Sequence, residues 1–384
     1  MVRRRSLALD SQRIVILGGG PAGLAAARLL HLRGIPSVVL ERDSGPDITA
    51  TSGSLDLGAD GGLRAISAMR LDEQFVALAR PQGQAFRVLD AVGNLLLELG
   101  ANDFDSARPE IDRIQLRQLL RDSIPSDTIA WGHRVSSVAL TPKGHYRIEI
   151  HHADPVDADL VIACDGIGSR ARALLTQQQP TYCGVTFIQA HIGAPDPGSF
   201  IAHHVGNGAM FAVGDNKAIM GQRNGDGSIR LYFALRMSED PRHRQGDDFV
   251  DADAERMVLR EAFAGWHPDL LAVLDQIDGE FSYWPLYTMP AQQHWAPHRR
   301  ITLVGDAAHV MSPFTGQGVN MALIDAVELV GALTDSHPDN IDAAIAAYEA
   351  AMLDRMSIAI AKANDATDRL INTDGPAPLL AQYQ

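Results

Sequence analysis

The feature that most constrains how this chain folds is a turn with three glycines, Gly18, Gly20 and Gly23. The turn follows the apolar run 13–17, which is rich in β-branched residues and predicts a buried parallel strand. It precedes residues 24–32, whose leucines and alanines favour a helix. In such a turn the first glycine permits the tight bend, the second lets a pyrophosphate approach the backbone, and the third allows the helix to pack closely. The spacing therefore predicts a nucleotide-binding βα turn, with an ordinary tight turn as the alternative.

An acidic residue supports the nucleotide interpretation. Residues 37–41 predict a second strand, and Glu41 stands at its end. A carboxylate at this place in a βαβ unit accepts hydrogen bonds from ribose hydroxyls. The glycine pattern does not separate NAD from FAD, so the rest of the chain has to decide between them.

Two further glycine-containing pairs follow predicted strands later in the chain. The pair Asp165–Gly166 comes after strand 160–164, and the pair Gly305–Asp306 comes after strand 300–304. An aspartate at a strand end is placed to hold a sugar hydroxyl. The loop 316–320 then opens another predicted helix, whose free backbone N–H groups favour an anion.

The composition of the 384-residue chain excludes several classes of protein. Lys and Arg total 33 and Asp and Glu total 47, and the net charge of −14 argues against non-specific binding to nucleic acid. No apolar run approaches the ~20 residues of a membrane span. The two cysteines, Cys164 and Cys183, cannot form a disulfide framework, which favours a reducing cytoplasm.

No pattern of histidines or acids predicts a metal site. His309 has no partner at the spacing of a helical metal site, so packing or capping is its expected role. The pairs His151–His152 and His203–His204 are predicted to lie on strands, where neighbouring residues face opposite sides. We therefore expect no bound metal.

The pattern of predicted strands and helices changes along the chain. Alternating strands and helices mark both ends, whereas the region around 180–236 consists of predicted strands separated by Gly, Pro and Asn turns. Residues 85–99 predict a hairpin, and residues 342–370 predict a long helix. Further predicted elements are a loop over 41–62 and helices over 63–79, 113–124 and 253–264. We expect one α/β domain that is interrupted by a second, β-rich domain.

The three motifs, in this order, resemble the flavin-dependent aromatic hydroxylases, which are single-component class A monooxygenases of the para-hydroxybenzoate hydroxylase type. In that family the first glycine turn and the following acid bind the ADP part of FAD. The pair Asp165–Gly166 would touch the pyrophosphate and influence NAD(P)H binding, and Asp306 would hold the ribityl or ribose part. The backbone of 316–320 would contact the isoalloxazine ring, and Arg117 would lie near the pyrophosphate. The implied cofactor-binding residues are Gly18, Gly20, Ala22, Gly23, Glu41, Arg42, Leu57, Arg113, Arg117, Asp165, Gly166, Asp306, Pro313, Gly316, Gly318, Val319 and Asn320.

The resemblance also implies the fold and its division. The fold would be α/β, with a Rossmann-like, glutathione-reductase-like FAD-binding domain, an inserted β-sheet substrate domain and a long C-terminal helix. The FAD-binding domain would comprise residues 1–80, 106–180 and 290–335, the substrate-binding domain residues 81–105 and 181–289, and the C-terminal bridging helix and tail residues 336–384.

Within that family the chain is similar to the tetracycline-inactivating monooxygenases, or tetracycline destructases. The similar stretches are residues 53–57, 109–117, 128–131, 188–190 and 313–320. By this likeness Gln189 would hydrogen-bond the enolised diketone edge of a substrate, and Met210 and Phe314 would line the pocket. Two positions depart from the pattern: Gly208 stands near an expected arginine, and Arg230 stands where a histidine is expected. Either the pocket cation has moved to Arg230, which we count as substrate-binding, or the substrate differs.

The implied activity is FAD-dependent monooxygenation that consumes NAD(P)H, with NADPH preferred. Reduced flavin and O₂ would form the C4a-hydroperoxide, which hydroxylates an electron-rich polycyclic phenol or enol; tetracycline inactivation, a route to antibiotic resistance, is one candidate. The protein would bind, orient and shield the substrate, and no acid–base residue is assigned. A flavin reductase or dehydrogenase of the same fold, and a non-catalytic flavoprotein that sequesters an aromatic ligand, stay as alternatives. We expect a cytoplasmic monomer or weak dimer that binds neither nucleic acid nor membranes.

Overall fold

In the part of the chain that the structure describes, five strands between residues 14 and 303 form one parallel sheet, and eight strands from residues 86–99 and 181–288 form a larger sheet. The computed structural model describes residues 9, 12–46, 53–104, 108–240, 249–335 and 340–383. The strands are β1 (Ile14–Leu17), β2 (Val38–Leu40), β3 (Ser54–Asp56), β4 (Phe86–Asp90), β5 (Leu95–Leu99), β6 (Glu110–Asp112), β7 (Ile129–Ala130), β8 (Val135–Leu140), β9 (Tyr146–Ile150), β10 (Ala153–Ala158), β11 (Leu160–Ala163), β12 (Thr181–Ile192), β13 (Ala209–Gly214), β14 (Lys217–Arg223), β15 (Ile229–Arg236), β16 (Phe249–Val250), β17 (Phe281–Thr288) and β18 (Ile301–Leu303). The helices are α1 (Pro21–His31), α2 (Arg64–Ala68), α3 (Asp72–Leu78), α4 (Arg113–Asp122), α5 (Phe200–Val205), α6 (Ala252–Ala262), α7 (Pro268–Leu271), α8 (Asp306–His309), α9 (Gln317–Asp335), α10 (Ile341–Leu370) and α11 (Ala377–Leu380).

The parallel sheet brings the predicted motifs to one edge. Its strand order is β18-β11-β1-β2-β7, and each neighbouring pair is parallel. The residues of β1, β11 and β18 are buried, as is typical of strands covered by helices on both faces. Since the carboxyl ends of parallel strands meet at one edge, Gly18, Glu41, Asp165 and Gly305 lie together there.

The larger sheet has two faces that are covered by different parts of the chain. Its order is β16-β17-β12-β15-β14-β13-β4-β5, and its pairs are antiparallel except for β4 with β13. Because successive side chains of a strand alternate between faces, each strand contributes to both. The helical face, which packs against α5, α6 and α7, includes Ile188, Met210, Leu231 and Phe233. The aromatic face, which packs against Leu370, Ile371 and Leu379, includes Phe86, Phe187, Phe211 and Tyr232.

Helix α10 connects the two hydrophobic cores. Its residues Ile345 and Met352 are buried in the core of the parallel sheet. Its last residue, Leu370, is buried against the aromatic face of the larger sheet. The predicted bridging role of this helix fits these contacts, and the domain boundaries stay a prediction.

Several elements differ from the sequence predictions. The predicted loop 41–62 contains β3, which pairs with β6, and its residues 47–52 lie outside the described part of the chain. The predicted helix 63–79 is broken into α2 and α3 where Arg70 has a φ of 58°. Strand β10 was not predicted because it contains Pro155 and two aspartates, which an edge strand of the β10-β9-β8 sheet tolerates.

The placement of His203 and His204 was wrong. Both residues lie in α5 rather than on a strand, and their rings are 5.0 Å apart. Among the residues that the structure describes, no cluster of three or more His, Cys, Asp or Glu side chains has the arrangement of a metal site. Within the same residues, no helix combines the length and the apolar character that crossing a membrane requires.

Candidate active site

The three glycines of the first turn have distinct steric environments. Gly18 has a φ of 93°, and a Cβ there would lie 2.5 Å from the carbonyl oxygen of Cys164. A Cβ on Gly23 would collide with the carbonyl oxygen of Gly18. Beside Gly20, in contrast, no atom lies within 4 Å of an added Cβ, so open space adjoins the N-terminus of α1. The buried Ala22 lies close to Gly305, which brings the first and third motifs together.

Glu41 is held at the end of β2 by its own turn and by Arg117. Its Oε2 accepts a hydrogen bond from the Gly19 N–H at 2.5 Å, and its Oε1 accepts one from the Asp43 N–H at 3.0 Å. Arg117 donates to the Gly19 carbonyl at 3.2 Å and to Asp43 at 2.8 Å. The predicted cofactor residue Arg42, which directly follows Glu41, has an exposed side chain. The predicted pair of Glu41 and Arg117 therefore lies directly beside the glycine turn.

A buried arginine ties the second and third motifs together. Arg172 donates to the carbonyls of Ile167 at 2.7 Å and Ala307 at 2.8 Å, and more weakly to those of Gly166 and Asp306. A fully buried arginine makes sense here because its planar fork of donors satisfies carbonyls of two loops at once.

The two motif aspartates differ in environment. Asp165 accepts a hydrogen bond from the Arg170 N–H at 2.7 Å through Oδ2, and its Oδ1 is buried with no hydrogen-bond partner among the described residues. Burial raises the pKa of Asp165. Asp306, at the start of α8, is exposed. At the second motif, Oδ1 of Asp165 can therefore accept a hydrogen bond from a ligand. At the third motif, the whole carboxylate of Asp306 is accessible.

His309 is packed rather than available to a metal. Its Nε2 is 2.5 Å from Oδ2 of the buried Asp325, which also accepts the Gly305 N–H at 3.0 Å. Burial opposes the charge on His309, but the carboxylate of Asp325 outweighs burial and raises the pKa of His309. Arg355 completes the network with a 2.7 Å contact to Asp325. Through the hydrogen bond from the Gly305 N–H to Asp325, this network fixes the position of the Gly305–Asp306 turn.

The side-chain amide of Asn320 connects the first turn of α9 to β3 and to the residues that follow β3. Oδ1 of Asn320 accepts the N–H groups of Gly58 and Gly62, both at 2.8 Å, and its Nδ2 donates to the Asp56 and Gly316 carbonyls. Because these bonds occupy the side chain of Asn320, its predicted contact with the cofactor would have to come from its backbone. Of the other predicted residues of this region, Leu57 is fully buried, Arg113 and Pro313 are exposed, and Gly316, Gly318 and Val319 are partly exposed.

Three of the four predicted substrate residues share one side of the larger sheet. Gln189 of β12 lies opposite Tyr232 of β15 in the ladder, and Arg230 lies two residues from Tyr232 on the same face. Phe314, from the loop before α9, packs edge-on against Phe187 with ring centroids 5.4 Å apart. Phe187 in turn contacts Tyr232 at 5.2 Å. The aromatic face and the third-motif loop thus approach each other at this point.

Met210 is a correction to the predicted pocket. It is fully buried on the helical face, whereas its neighbour Phe211 lies on the aromatic face and packs against Phe86. Neighbouring residues of a strand face opposite sides, so Met210 does not share the face that carries Gln189 and Arg230. Gly208 has no room for a side chain, because a Cβ there would collide with the carbonyl oxygen of Ala85.

Sequence reasoning missed two polar residues beside this face. Tyr232 lies two residues after Arg230 in β15 and therefore on the same face, so the period of two along a strand could have identified it. Glu110 of β6 is buried and accepts hydrogen bonds from the Ser54 hydroxyl and from Nε2 of Gln222. Burial is the largest influence on Glu110 and raises its pKa to about 7.

Comparison with known proteins identifies the family. The FAD binding domain family matches residues 11–357 of the chain. The monooxygenase asqM of Emericella nidulans is 30% identical, over 88% of this chain and 90% of asqM. Klebsiella pneumoniae HpxO complexed with FAD and uric acid superposes with a TM-score of 0.80 at 21% identity, covering 98% of this chain and 93% of HpxO. The tetracycline destructase Tet(55) superposes with a TM-score of 0.73 at 22% identity, covering 95% of this chain and 91% of that structure. The chain therefore belongs to the FAD binding domain family of class A flavin monooxygenases and is an FAD-dependent monooxygenase.

Proposed function

We propose that this protein uses NAD(P)H, with NADPH preferred, to hydroxylate an electron-rich planar phenol or enol that binds between the loop before α9 and the aromatic face. The observation that carries this proposal is the contact of Phe314 with Phe187, because it joins the cofactor-side loop to the sheet face that holds Gln189 and Arg230. Aromatic rings of this kind favour a flat substrate. Arg230 favours a substrate oxygen that carries negative charge.

The residues at the edge of the parallel sheet fit an FAD molecule. The space beside Gly20 adjoins the N-terminus of α1, which favours a pyrophosphate. Glu41 and the exposed Asp306 would hold the ribose and ribityl hydroxyls, and Oδ1 of Asp165 has a free acceptor position for a further donor. Arg117 would bind near the pyrophosphate, and the backbone of Gly316–Asn320 would face the ring. Bound FAD supplies the redox chemistry, accepting hydride and activating O₂.

The protein's own task would be to bind and orient the substrate and to exclude water. Gln189 would donate to a carbonyl or enol oxygen of the substrate. Arg230 would stabilise negative charge on that oxygen, and loss of such a charge-assisted contact costs roughly 1.5–3 kcal/mol. A polycyclic enol such as tetracycline fits this arrangement, and so does a small oxygen-rich heteroaromatic such as uric acid. We propose the polycyclic phenol or enol, in keeping with the stretches of sequence that resemble tetracycline destructases.

The protein would act in the cytoplasm, since Cys164 and Cys183 are both unbridged. Its oligomeric state, monomer or weak dimer, stays a prediction. The substrate and O₂ would be its only small-molecule partners besides the cofactors.

The experiment that tests this function incubates the FAD-saturated protein with NADPH, O₂ and one of three probes: tetracycline, anhydrotetracycline or uric acid. We expect probe-stimulated NADPH oxidation and, by mass spectrometry, a product heavier by one oxygen atom. Arg230→Gln should raise KM about tenfold or more, whereas the control Arg147→Gln, an exposed residue of β9, should behave like wild type.

Three outcomes would contradict the proposal or one of its assignments. NADPH oxidation without oxygen incorporation for every probe would favour the reductase alternative. Binding of the probes without any turnover would favour a flavoprotein that sequesters its ligand. Wild-type kinetics in Arg230→Gln would remove Arg230 from the pocket.

A further inference from the structure

A polar cluster lies where the β3–β6 ribbon meets the aromatic face of the larger sheet. The register of the ribbon places Ser54, Asp56, Glu110 and Asp112 on one of its sides. Glu110 is buried, and Nε2 of Gln222 donates to both of its oxygens at 3.2 and 3.3 Å. Glu110 thus connects the ribbon to the face on which the substrate would bind.

Arg80 forms only a long ion pair with the Glu110 carboxylate. Arg80 is 3.9 Å from it but donates to Asp112 at 2.7 Å instead, and the hydrogen bonds to Glu110 come from the neutral groups Ser54 and Gln222. Asp56 stands directly opposite Glu110 in the ladder and adds negative charge. Among the described residues, the charged and titratable groups around Glu110 are Asp56, Arg80, Arg108, Asp112, Arg113, Arg230 and Tyr232. Burial and Asp56 outweigh Ser54 and Arg80, which accounts for a pKa of about 7.

The cluster reaches the substrate face on one side. Gln222 lies opposite Arg230 in the β14–β15 ladder, so both side chains project from the aromatic face. Gly53, which precedes Ser54, faces the hydroxyl of Tyr232: a Cβ on Gly53 would lie 3.4 Å from it. A substrate oxygen held by Arg230 would therefore lie near Gln222, on the side of the ribbon that carries Ser54 and Glu110.

The cluster reaches solvent on its other side. A surface cavity of about 340 Å³ is lined by Arg80, Gln82, Asn207, Arg223, Asn224, Gly225 and Gly227. Arg80 lines this cavity and also donates to Ser54 at 2.9 Å. Arg80 is also 3.9 Å from Glu110, so this cavity lies one side chain away from the buried carboxylate.

We propose that Glu110 accepts the proton of the substrate's phenol or enol hydroxyl and releases it to solvent, a role that rests on the proposed function. The O–H bond of the substrate breaks and its proton passes to Oγ of Ser54. The hydroxyl proton of Ser54 passes at the same time to Oε2 of Glu110. The substrate is left as an oxyanion beside Arg230, which makes its ring or enol carbon more electron-rich. Glu110 then loses its proton to water at the Arg80 cavity, and Ser54 is unchanged.

The test compares Glu110→Gln with wild type and with the control Glu98→Gln, which removes an exposed carboxylate of β5. The absorbance of bound anhydrotetracycline reports how much of it is ionised at each pH. In wild type and in the control, ionisation of the bound probe and kcat/KM should both fall about tenfold per pH unit below pH 7. In Glu110→Gln the bound probe should stay neutral to higher pH, and kcat should fall about a hundredfold with a smaller change in KM.

A second variant keeps the proposal testable if Glu110→Gln does not fold. Ser54→Ala removes both the relay hydroxyl and a donor that favours the charged carboxylate, so kcat should fall as in Glu110→Gln and any remaining low-pH limb should move to higher pH. Glu110→Asp should restore a limb near neutral pH with part of the wild-type rate. The same pH profile in wild type, Glu110→Gln and Ser54→Ala would overturn the proposal.

An infrared measurement separates this proposal from the proposed function. The carboxylic acid band of Glu110, identified by its absence from Glu110→Gln, should titrate near neutral pH in the FAD-saturated protein whether or not any probe is hydroxylated. Failure of hydroxylation together with a titrating band and ionised bound probe would count against the proposed function alone. A band that is absent throughout the range from pH 5 to 9 would overturn the role of Glu110.

Discussion

Gly20 and Gly23 stand three residues apart in one turn, yet a methyl group should have opposite effects at the two positions. Gly20 has ordinary extended backbone and open space around it, so Gly20→Ala should leave the unfolding free energy of the FAD-free protein unchanged. The same methyl group would project where the pyrophosphate approaches, so FAD affinity should fall at least tenfold. Gly23→Ala collides with the Gly18 carbonyl and should cost about 1–3 kcal/mol of stability. Urea unfolding and FAD titration measure the two effects, and wild-type FAD affinity in Gly20→Ala would contradict the assignment.

Single residues also show what the sequence could and could not predict about the site. Gly18 has a positive φ and Gly23 lies against the Gly18 carbonyl, and the spacing was sufficient to infer that both positions need glycine. Met210 was assigned by likeness without regard to which side of the strand it occupies, and it proved to lie on the helical face. Glu110 lies in one of the stretches that resemble tetracycline destructases, but no local pattern indicated its environment, which arises from Ser54 and Gln222, distant in the chain.

At the level of elements, the loops after β11 and β18 depend on a shared donor. Arg172 serves four carbonyls in those loops, and Lys cannot reproduce this planar set of donors. Arg172→Lys should lower the unfolding free energy by roughly 2–3 kcal/mol through carbonyls left unpaired. It should also weaken FAD binding, because Asp165 and Asp306 belong to the loops that it joins. Urea unfolding and fluorescence titration of FAD measure both, and Arg147→Lys, an exposed change on β9, is the matched control with little effect.

The elements that sequence predicted well are those whose stability is local or buried. Strands β1, β11 and β18 are short apolar runs, and their burial on both faces matches their composition. Strand β3 has the polar sequence Ser-Leu-Asp and exists because β6 pairs with it, a contact that no local pattern records. The break between α2 and α3 at Arg70 was likewise not predicted, since the sequence there contains neither Gly nor Pro.

At the scale of the whole molecule, the order of the motifs allowed us to predict the family and the fold. It did not allow us to predict how the two sheets pack against each other. The contact between Phe314 and Phe187 joins segments that are more than a hundred residues apart. The same holds for the ribbon, since Glu110 and Gln222 meet only when the larger sheet packs beside β6. The chemistry of the cofactor is therefore visible in local motifs, whereas the chemistry of the substrate depends on this packing.

The buried Glu110 should also be visible in the global stability of the protein. Its pKa is about 7 in the folded state against an ordinary value of 4.5, so between these values the folded chain retains a proton that the unfolded chain has lost. Stability should therefore fall as pH rises from 4.5 to 7, by ~3 kcal/mol from this group, and remain lower above pH 7. Urea unfolding of wild type and Glu110→Gln across this range measures the difference, in which the contributions of other groups cancel.

A second carboxylate provides a control of opposite sign. Arg13 holds the pKa of Asp159 at about 2, so the stability that Asp159 contributes is present above its unfolded value of 3.8 and is lost as pH falls toward 2. The difference in unfolding free energy between wild type and Asp159→Asn should therefore be constant from pH 4.5 to 8 and shrink only in more acidic solution. A difference between wild type and Glu110→Gln that is equally constant from pH 4.5 to 8 would mean that Glu110 is ionised in the fold throughout that range. In that case the carboxylate would act only as a fixed acceptor for Ser54 and Gln222.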